Sequence, residues 1–195
     1  YDDVMLTPFL IQTQALTHGP IHNLSFSWPA GVSWICGDEG KGKTTLLRLL
    51  AGDVQPTAGT VTAPEGGVFW VDLQGPTHDA TTVQDCWDTL RGRYPSWNEA
   101  LLQDLSKELN MAEHLEKRLN MLSAGSRRKV MVVAALASGA AVTLLDQPFA
   151  ALDFGSIRII KEFLSDAAAH TSRAWIVADY EAPSDVPLAR VLNLD

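Results

Sequence analysis

The sequence is short of cysteine, of basic residues and of long apolar runs. Its two cysteines, Cys36 and Cys86, stand far apart with no His or Cys at metal-binding spacing; this is the usage of a reducing cytosol and gives no zinc site. The 15 Lys and Arg are outnumbered by 23 Asp and Glu, leaving a net charge of −8 and a pI near 5.0. That balance argues against a nucleic-acid partner, because phosphate backbones are held mainly by clustered Lys and Arg. The one dense basic run, Arg127, Arg128, Lys129, is accounted for by a bound nucleotide or by a helix face. The apolar, uncharged stretch at residues 130–145 is broken by Ser138 and Gly139 and is too short to span a bilayer, so any membrane role falls to a partner. The opening YDDVMLTPFL lacks the basic-then-apolar order of a signal peptide. There are no repeats and no low-complexity tract.

What is present is 46% hydrophobic residues in a 195-residue chain, enough for one ordered core in a single domain with or without a small insertion. VSWIC at 32–36, after the turn Pro29-Ala30-Gly31, reads as a buried strand. It runs into GDEGKG and then KTTLLRLLAG, an amphipathic helix stopped at Gly52. PTAGTVTAPEGG at 56–67 is turn-rich with a short extended piece, and VFWV at 68–71 is a further strand ending near Gln74. From about Thr81 to Asn120 apolar and charged residues recur at helical spacing, interrupted at Gly92 and Pro95. Ser123 is a helix N-cap, with an apolar helix running to a stop at Ser138 and Gly139. AVTLLD at 141–146 reads as a strand buried on both faces, residues 157–169 as a helix and AWIVA at 174–178 as one more strand. Alternating strands and helices imply an α/β fold with its ligand at the carboxyl ends of parallel strands.

GDEGKGKT, Gly37 to Thr44, fits the phosphate-binding pattern GxxxxGK[ST]. Glycines let backbone N–H groups converge on phosphate oxygens. Lys43 reaches the β and γ phosphates, Thr44 sets its hydroxyl on Mg²⁺, and the helix that follows points its N-terminus at the anion. Gly37, Gly40, Lys41, Gly42, Lys43, Thr44 and Thr45 are the expected nucleotide-binding residues here.

GDEGKGKT, Gln74, LSAGS at 122–126, LLDQP at 144–148 and AALD at 150–153 come in the order of the ABC-type ATPases, and the chain resembles that family from about Leu24 to Val177. LSAG, PTAGTV and the short length are most similar to the small ATP-binding subunits of bacterial exporters, the haem-exporter type among them. The resemblance implies a P-loop NTPase core with a parallel-rich sheet, a small antiparallel β part and an inserted all-helical subdomain. It divides residues 1–195 into a core at about 1–79 and 139–195 and a helical insertion at about 80–138. It further implies ATP and Mg²⁺ as ligands, with Asp146, Gln74 and Thr44 at the metal. Ser123 and Gly125 of LSAGS, with Asp153, then complete the site of a second ABC ATPase chain packed head to tail, in a homo- or heterodimer. The partner in the membrane is a separate spanning subunit, and the chain sits in the cytoplasm on the inner face of the cell membrane.

The chain departs from the family near the γ-phosphate. Gln147 stands where the family has a catalytic glutamate; an amide orients water but is no general base. Tyr180 falls about where a switch histidine is expected, since the last histidine, His170, precedes the final strand. Ser126 replaces the last glutamine of the signature. Upstream, His18 is the candidate for stacking on adenine, against a solvated loop histidine. Three readings stand: a transporter ATPase with slow hydrolysis, an ATP-dependent regulatory or scaffold subunit that hardly hydrolyses, and a P-loop kinase, which leaves LSAGS and AALD unexplained. Gln147 itself is a native divergence or an engineered trapping substitution, the missing histidine favouring the first.

Overall fold

Residues 8–195 are described in the structure, a computed structural model; the first seven residues, on which part of the signal-peptide reading rests, lie outside the described residues. In order the elements are β1 (Phe9–His18), β2 (Ile21–Pro29), β3 (Gly31–Cys36), α1 (Lys43–Leu50), β4 (Ala58–Thr62), β5 (Val68–Phe69), α2 (Val83–Arg93), α3 (Glu99–Glu108), α4 (Ala124–Ala137), β6 (Val142–Asp146), α5 (Phe154–Ala167), β7 (Ala174–Asp179) and β8 (Arg190–Asn193). Short 3-10 turns lie between β5 and α2 and between α3 and α4.

Two sheets result. The larger is parallel throughout, with strand order β5-β6-β7-β3-β8, and the smaller is antiparallel, with order β2-β1-β4. Along β3, β6 and β7 the side chains alternate between two cores. Val32, Trp34, Leu145, Trp175 and Val177 face the core that includes α2, α3, α4 and α5. Ile35, Leu144 and Ile176 face the core of α1, where Leu46, Leu47 and Leu50 meet Ile11, Leu16 and Trp28 of the antiparallel sheet. Burying one such side chain stabilises by roughly 1.5–3 kcal/mol, so a sheet covered on both faces is a firm base for the loops at its edge.

Local deviations from the expected pattern have physical causes. The ladder of VFWV stops at Phe69, because the Trp70 N–H turns to the Tyr94 hydroxyl (3.4 Å), which itself donates to the Val68 carbonyl (3.3 Å). Gly92 does not interrupt a helix; it lies inside α2, whose Trp87 and Leu90 are buried and whose Trp87 indole donates to the Val130 carbonyl at 3.0 Å. That tertiary packing overrides glycine's weak helix propensity. Helix α5 begins at Phe154 rather than 157, because Asp153 caps it by accepting from the Ser156 N–H at 2.9 Å.

Candidate functional site

The register of the parallel sheet builds the site. Asp146 lies opposite Ala178 and Cys36 opposite Asp179, so β6, β7 and β3 end side by side. The residues that leave those ends, Gln147, Tyr180 and the loop from Gly37, therefore emerge at one edge. The loop turns into α1 with Gly42 at φ +100°, where a Cβ would stand 2.8 Å from Pro20 Cγ and 2.9 Å from Ile21 Cδ1, so only glycine fits. Lys43 is buried at the first helical position. Its ammonium donates to the carbonyls of Gly37 and Asp38 (2.9 Å for the latter) and lies 4.6 Å from the centre of the Tyr180 ring. Lys43, Thr44, Thr45, Gly40, Gly42, Gln147 and Tyr180 line a pocket of about 360 Å³, with Pro20 on its wall.

A second pocket of about 240 Å³ shares Thr44 and Gln147 with the first and adds Asp72, Gln74, Arg128 and Asp146. The Thr44 hydroxyl donates to Asp146 Oδ2 at 2.5 Å. Burial pushes the Asp146 carboxyl above the usual carboxylate range, while the Thr44 hydrogen bond and the charges of Arg128 and Lys43 draw it back down. Its second oxygen, Oδ1, is buried with no hydrogen-bond partner among the described residues. A buried carboxylate oxygen with unfilled lone pairs, next to a threonine hydroxyl and a glutamine amide, is the donor chemistry a hard cation such as Mg²⁺ takes. Gln74 is presented by its own loop, its N–H donating to Asp72 Oδ1 at 2.9 Å. Gln147 adopts φ +44°, uncommon for a residue with a Cβ, and its N–H donates to the Ala178 carbonyl at 2.8 Å, which pins the backbone to the end of β7.

Ser123, Gly125 and Asp153 form a separate cluster and line neither pocket. The Ser123 Oγ accepts from the Ser126 N–H at 3.1 Å and caps α4. Gly125 presses on the loop before α5: a Cβ there would lie 2.4 Å from the Ala151 carbonyl oxygen. Asp153 caps α5 and lies 3.5 Å from the Lys129 ammonium. The Ser156 hydroxyl and N–H hold its carboxyl down at about 2. A depressed acid stabilises the fold above its ordinary pKa, about 4, and loses that contribution as pH falls through the folded value. Asp153→Ala therefore lowers the melting temperature by about 2–4 °C at neutral pH through loss of the cap. The gap to the native chain closes between about pH 4 and pH 2, and circular-dichroism melts across that range measure it; a gap that persists at pH 2 rules the linkage out.

The basic run divides into three tasks that the sequence did not reveal. Arg127 donates to the carbonyls of Leu73 (2.5 Å) and Gly75 (2.7 Å) and to Asp79 (2.6 Å), fastening both sides of Gln74 to α4. Arg128 enters the pocket beside Asp146, and Lys129 reaches the Leu109 carbonyl and Asp153. Successive helical residues point about 100° apart, which sends three neighbours in three directions; the run was the only sequence signal. Gly37, Lys41 and His18 also stand off the pockets. Lys41 is exposed beside Asp195 (3.8 Å). His18 closes β1 half-buried, with Nδ1 unpartnered among the described residues, while Pro20 is the residue of that turn which lines the pocket.

The family described as ABC transporter matches residues 21–150. ABC transporter I family member 10 of Arabidopsis thaliana is 29% identical over 182 residues, covering 86% of this chain and 66% of its own. The taurine import ATP-binding protein TauB of Pseudomonas entomophila is 30% identical over 168 residues, covering 81% of this chain and 65% of its own. The chain thus spans slightly under two thirds of the length of these relatives. Among solved structures, an ABC transporter ATP-binding protein from Pyrococcus furiosus superposes with a TM-score of 0.71 at 22% identity, covering 94% of this chain and 96% of that one. That likeness supports the P-loop NTPase type of α/β fold, with its parallel sheet and small antiparallel sheet.

Proposed function

Because the chain belongs to the ABC transporter family, we propose that it is the ATP-binding subunit of such a transporter, binding MgATP between two chains and hydrolysing it slowly. One observation carries this reading: three adjacent strand ends gather Lys43, Thr44, Asp146, Gln147 and Tyr180 around two adjoining pockets, with a buried Asp146 oxygen left to a cation. Lys43, the loop from Gly37 to Gly42 and Thr45 bind the phosphates. Thr44, Asp146 and Gln74 hold Mg²⁺, which when bound neutralises phosphate oxygens. Gln147 orients a water molecule and cannot accept its proton. Tyr180 offers a hydroxyl donor in place of an imidazole.

Ser123, Gly125 and Asp153 stand apart from the chain's own phosphate loop, which suits their service to a second ABC ATPase chain. Residues 80–138 then act as the helical insertion that carries them. No helix among the described residues is long and apolar enough to cross a membrane, so movement of a cargo needs a membrane-spanning partner, with this chain on the cytoplasmic side. The pairing of Gln147 with Tyr180 favours, as a second reading, a regulatory subunit that closes on ATP and scarcely cleaves it.

Sedimentation with and without nucleotide tests the two-chain site. MgATP, or a non-hydrolysable analogue of it, shifts the chain from one copy to two, or into a pair with a partner ATPase, and ADP does not. A chain that binds the analogue yet stays single at every concentration, alone and with its partner, excludes the shared site.

A further inference from the structure

Among the described residues Arg128 is the only basic one lining the pocket beside Asp146, where the acids balance its charge without filling its donors. The sole hydrogen bond of its side chain among the described residues is a long one, NH1 to the Asp146 carbonyl at 3.3 Å. A guanidinium carries five N–H donors, so four are uncommitted, and Nε is buried without a partner. Burial works against its charge, and the charges of Asp146, Asp179 and Asp72 offset part of that effect. A partly desolvated guanidinium with donors to spare gains most from a multiply charged anion that it can grip by two N–H groups.

We propose that Arg128 is a binding residue for the terminal phosphate of the nucleotide, supplying the cationic contact that Tyr180 cannot. The assignment rests on the ATP site proposed above. It follows from placement: Arg128 shares its pocket with Thr44 and Gln147, and these two residues also line the pocket of Lys43. The γ-phosphate end of a nucleotide gripped by Lys43 therefore enters the space that Arg128 faces. A purely structural Arg128, pinning the Asp146 carbonyl and balancing the acids, would support every nucleotide alike. A phosphate contact separates triphosphate from diphosphate.

Calorimetric affinities for a non-hydrolysable ATP analogue and for ADP, both with Mg²⁺, decide between the two roles. In Arg128→Gln the analogue binds about 10–100-fold more weakly and ADP changes by less than about threefold, the loss expected for a hydrogen bond to a charged group. Arg128→Lys keeps the charge and recovers part of the preference. Arg128→Met, which keeps the buried stem, gives the same result as Arg128→Gln and carries the test should the glutamine variant unfold. An equal fall for both nucleotides, or no fall for either, overturns the assignment. A native chain that binds neither nucleotide overturns the ATP site itself, a result distinguishable from both.

Discussion

In Lys43→Ala, MgATP loses most of its effect on the melting temperature. The native chain at a hundredfold excess of ligand over Kd gains about 2.7 kcal/mol, or about 5–10 °C for a domain of this size. Among the described residues Lys43 is the one cation lining the phosphate-loop pocket, and it is buried, so its charge meets a phosphate with little screening. Its ammonium already lies against the Gly37 and Asp38 carbonyls and the Tyr180 ring, which fixes where it sits before any ligand arrives. Removing one partner of such a charged pair commonly costs about 2–5 kcal/mol, a factor of at least about 30 in Kd. A hundredfold weaker site at the same concentration retains only about 0.4 kcal/mol of stabilisation, about 1 °C. Differential scanning fluorimetry measures both shifts, and the ligand-free melting temperature of the variant reports what the two loop carbonyls lose. If the variant keeps the native shift, the nucleotide does not use this loop and the proposed function falls with it.

Gln147→Glu raises steady-state hydrolysis by about 10²–10⁴, the usual worth of one general base. Glutamate has the same length as glutamine, and both pay equally for φ +44°, while the backbone bond to Ala178 does not involve the side chain. Position 147 therefore stays over Thr44 and Asp146. The introduced carboxyl sits near Asp146 and Asp72, and like charges raise a carboxyl's pKa, which makes it a stronger base and makes the gain grow as pH rises. In the proposed site Tyr180 limits the gain, because its hydroxyl does not bring the charge of an imidazole to the transferred phosphoryl group. Phosphate release with Mg²⁺ and the partner chain present, measured across pH 6 to 9, supplies the comparison. Ordinary family-like turnover in the native chain, with no rise in the variant, contradicts slow hydrolysis.

The legibility of the chain followed the strength of its local signals. VSWIC, KTTLLRLL and AVTLLD are continuous apolar runs or helical stripes, and β3, α1 and β6 lie where they were expected. The strands β1 and β2 were not legible individually. Their burial alternates imperfectly, and bulges occur at Ala15 and Asn23, both with positive φ, the Ala15 N–H bonding to the Ser25 hydroxyl instead of the ladder. β8 is largely exposed and carries almost no periodicity. At the site, GDEGKGKT was readable because phosphate binding by a backbone loop fixes its spacing, whereas Gln74, Asp146 and Gln147 were singled out by the resemblance in motif order. Arg127 and Arg128 were not, because their partners lie 54 and 18 residues away and only the fold brings them together.

The grip of Arg127 on Leu73, Gly75 and Asp79 also decides where the molecule can bend. Three attachment points on one planar group leave no single bond about which the segment from Leu73 to Asp79 could swivel against α4. That segment is carried by the helix as one rigid piece. Any rocking of the helices against the parallel sheet must then be absorbed before Leu73, at Trp70–Asp72, and at the other crossing, Ser138–Ala141, where Gly139 already has φ +68°. Trp70 and Asp72 also line the pocket of Asp146. A bend there would change the shape of that pocket directly, so the place where the chain could bend and the wall of the pocket are the same few residues.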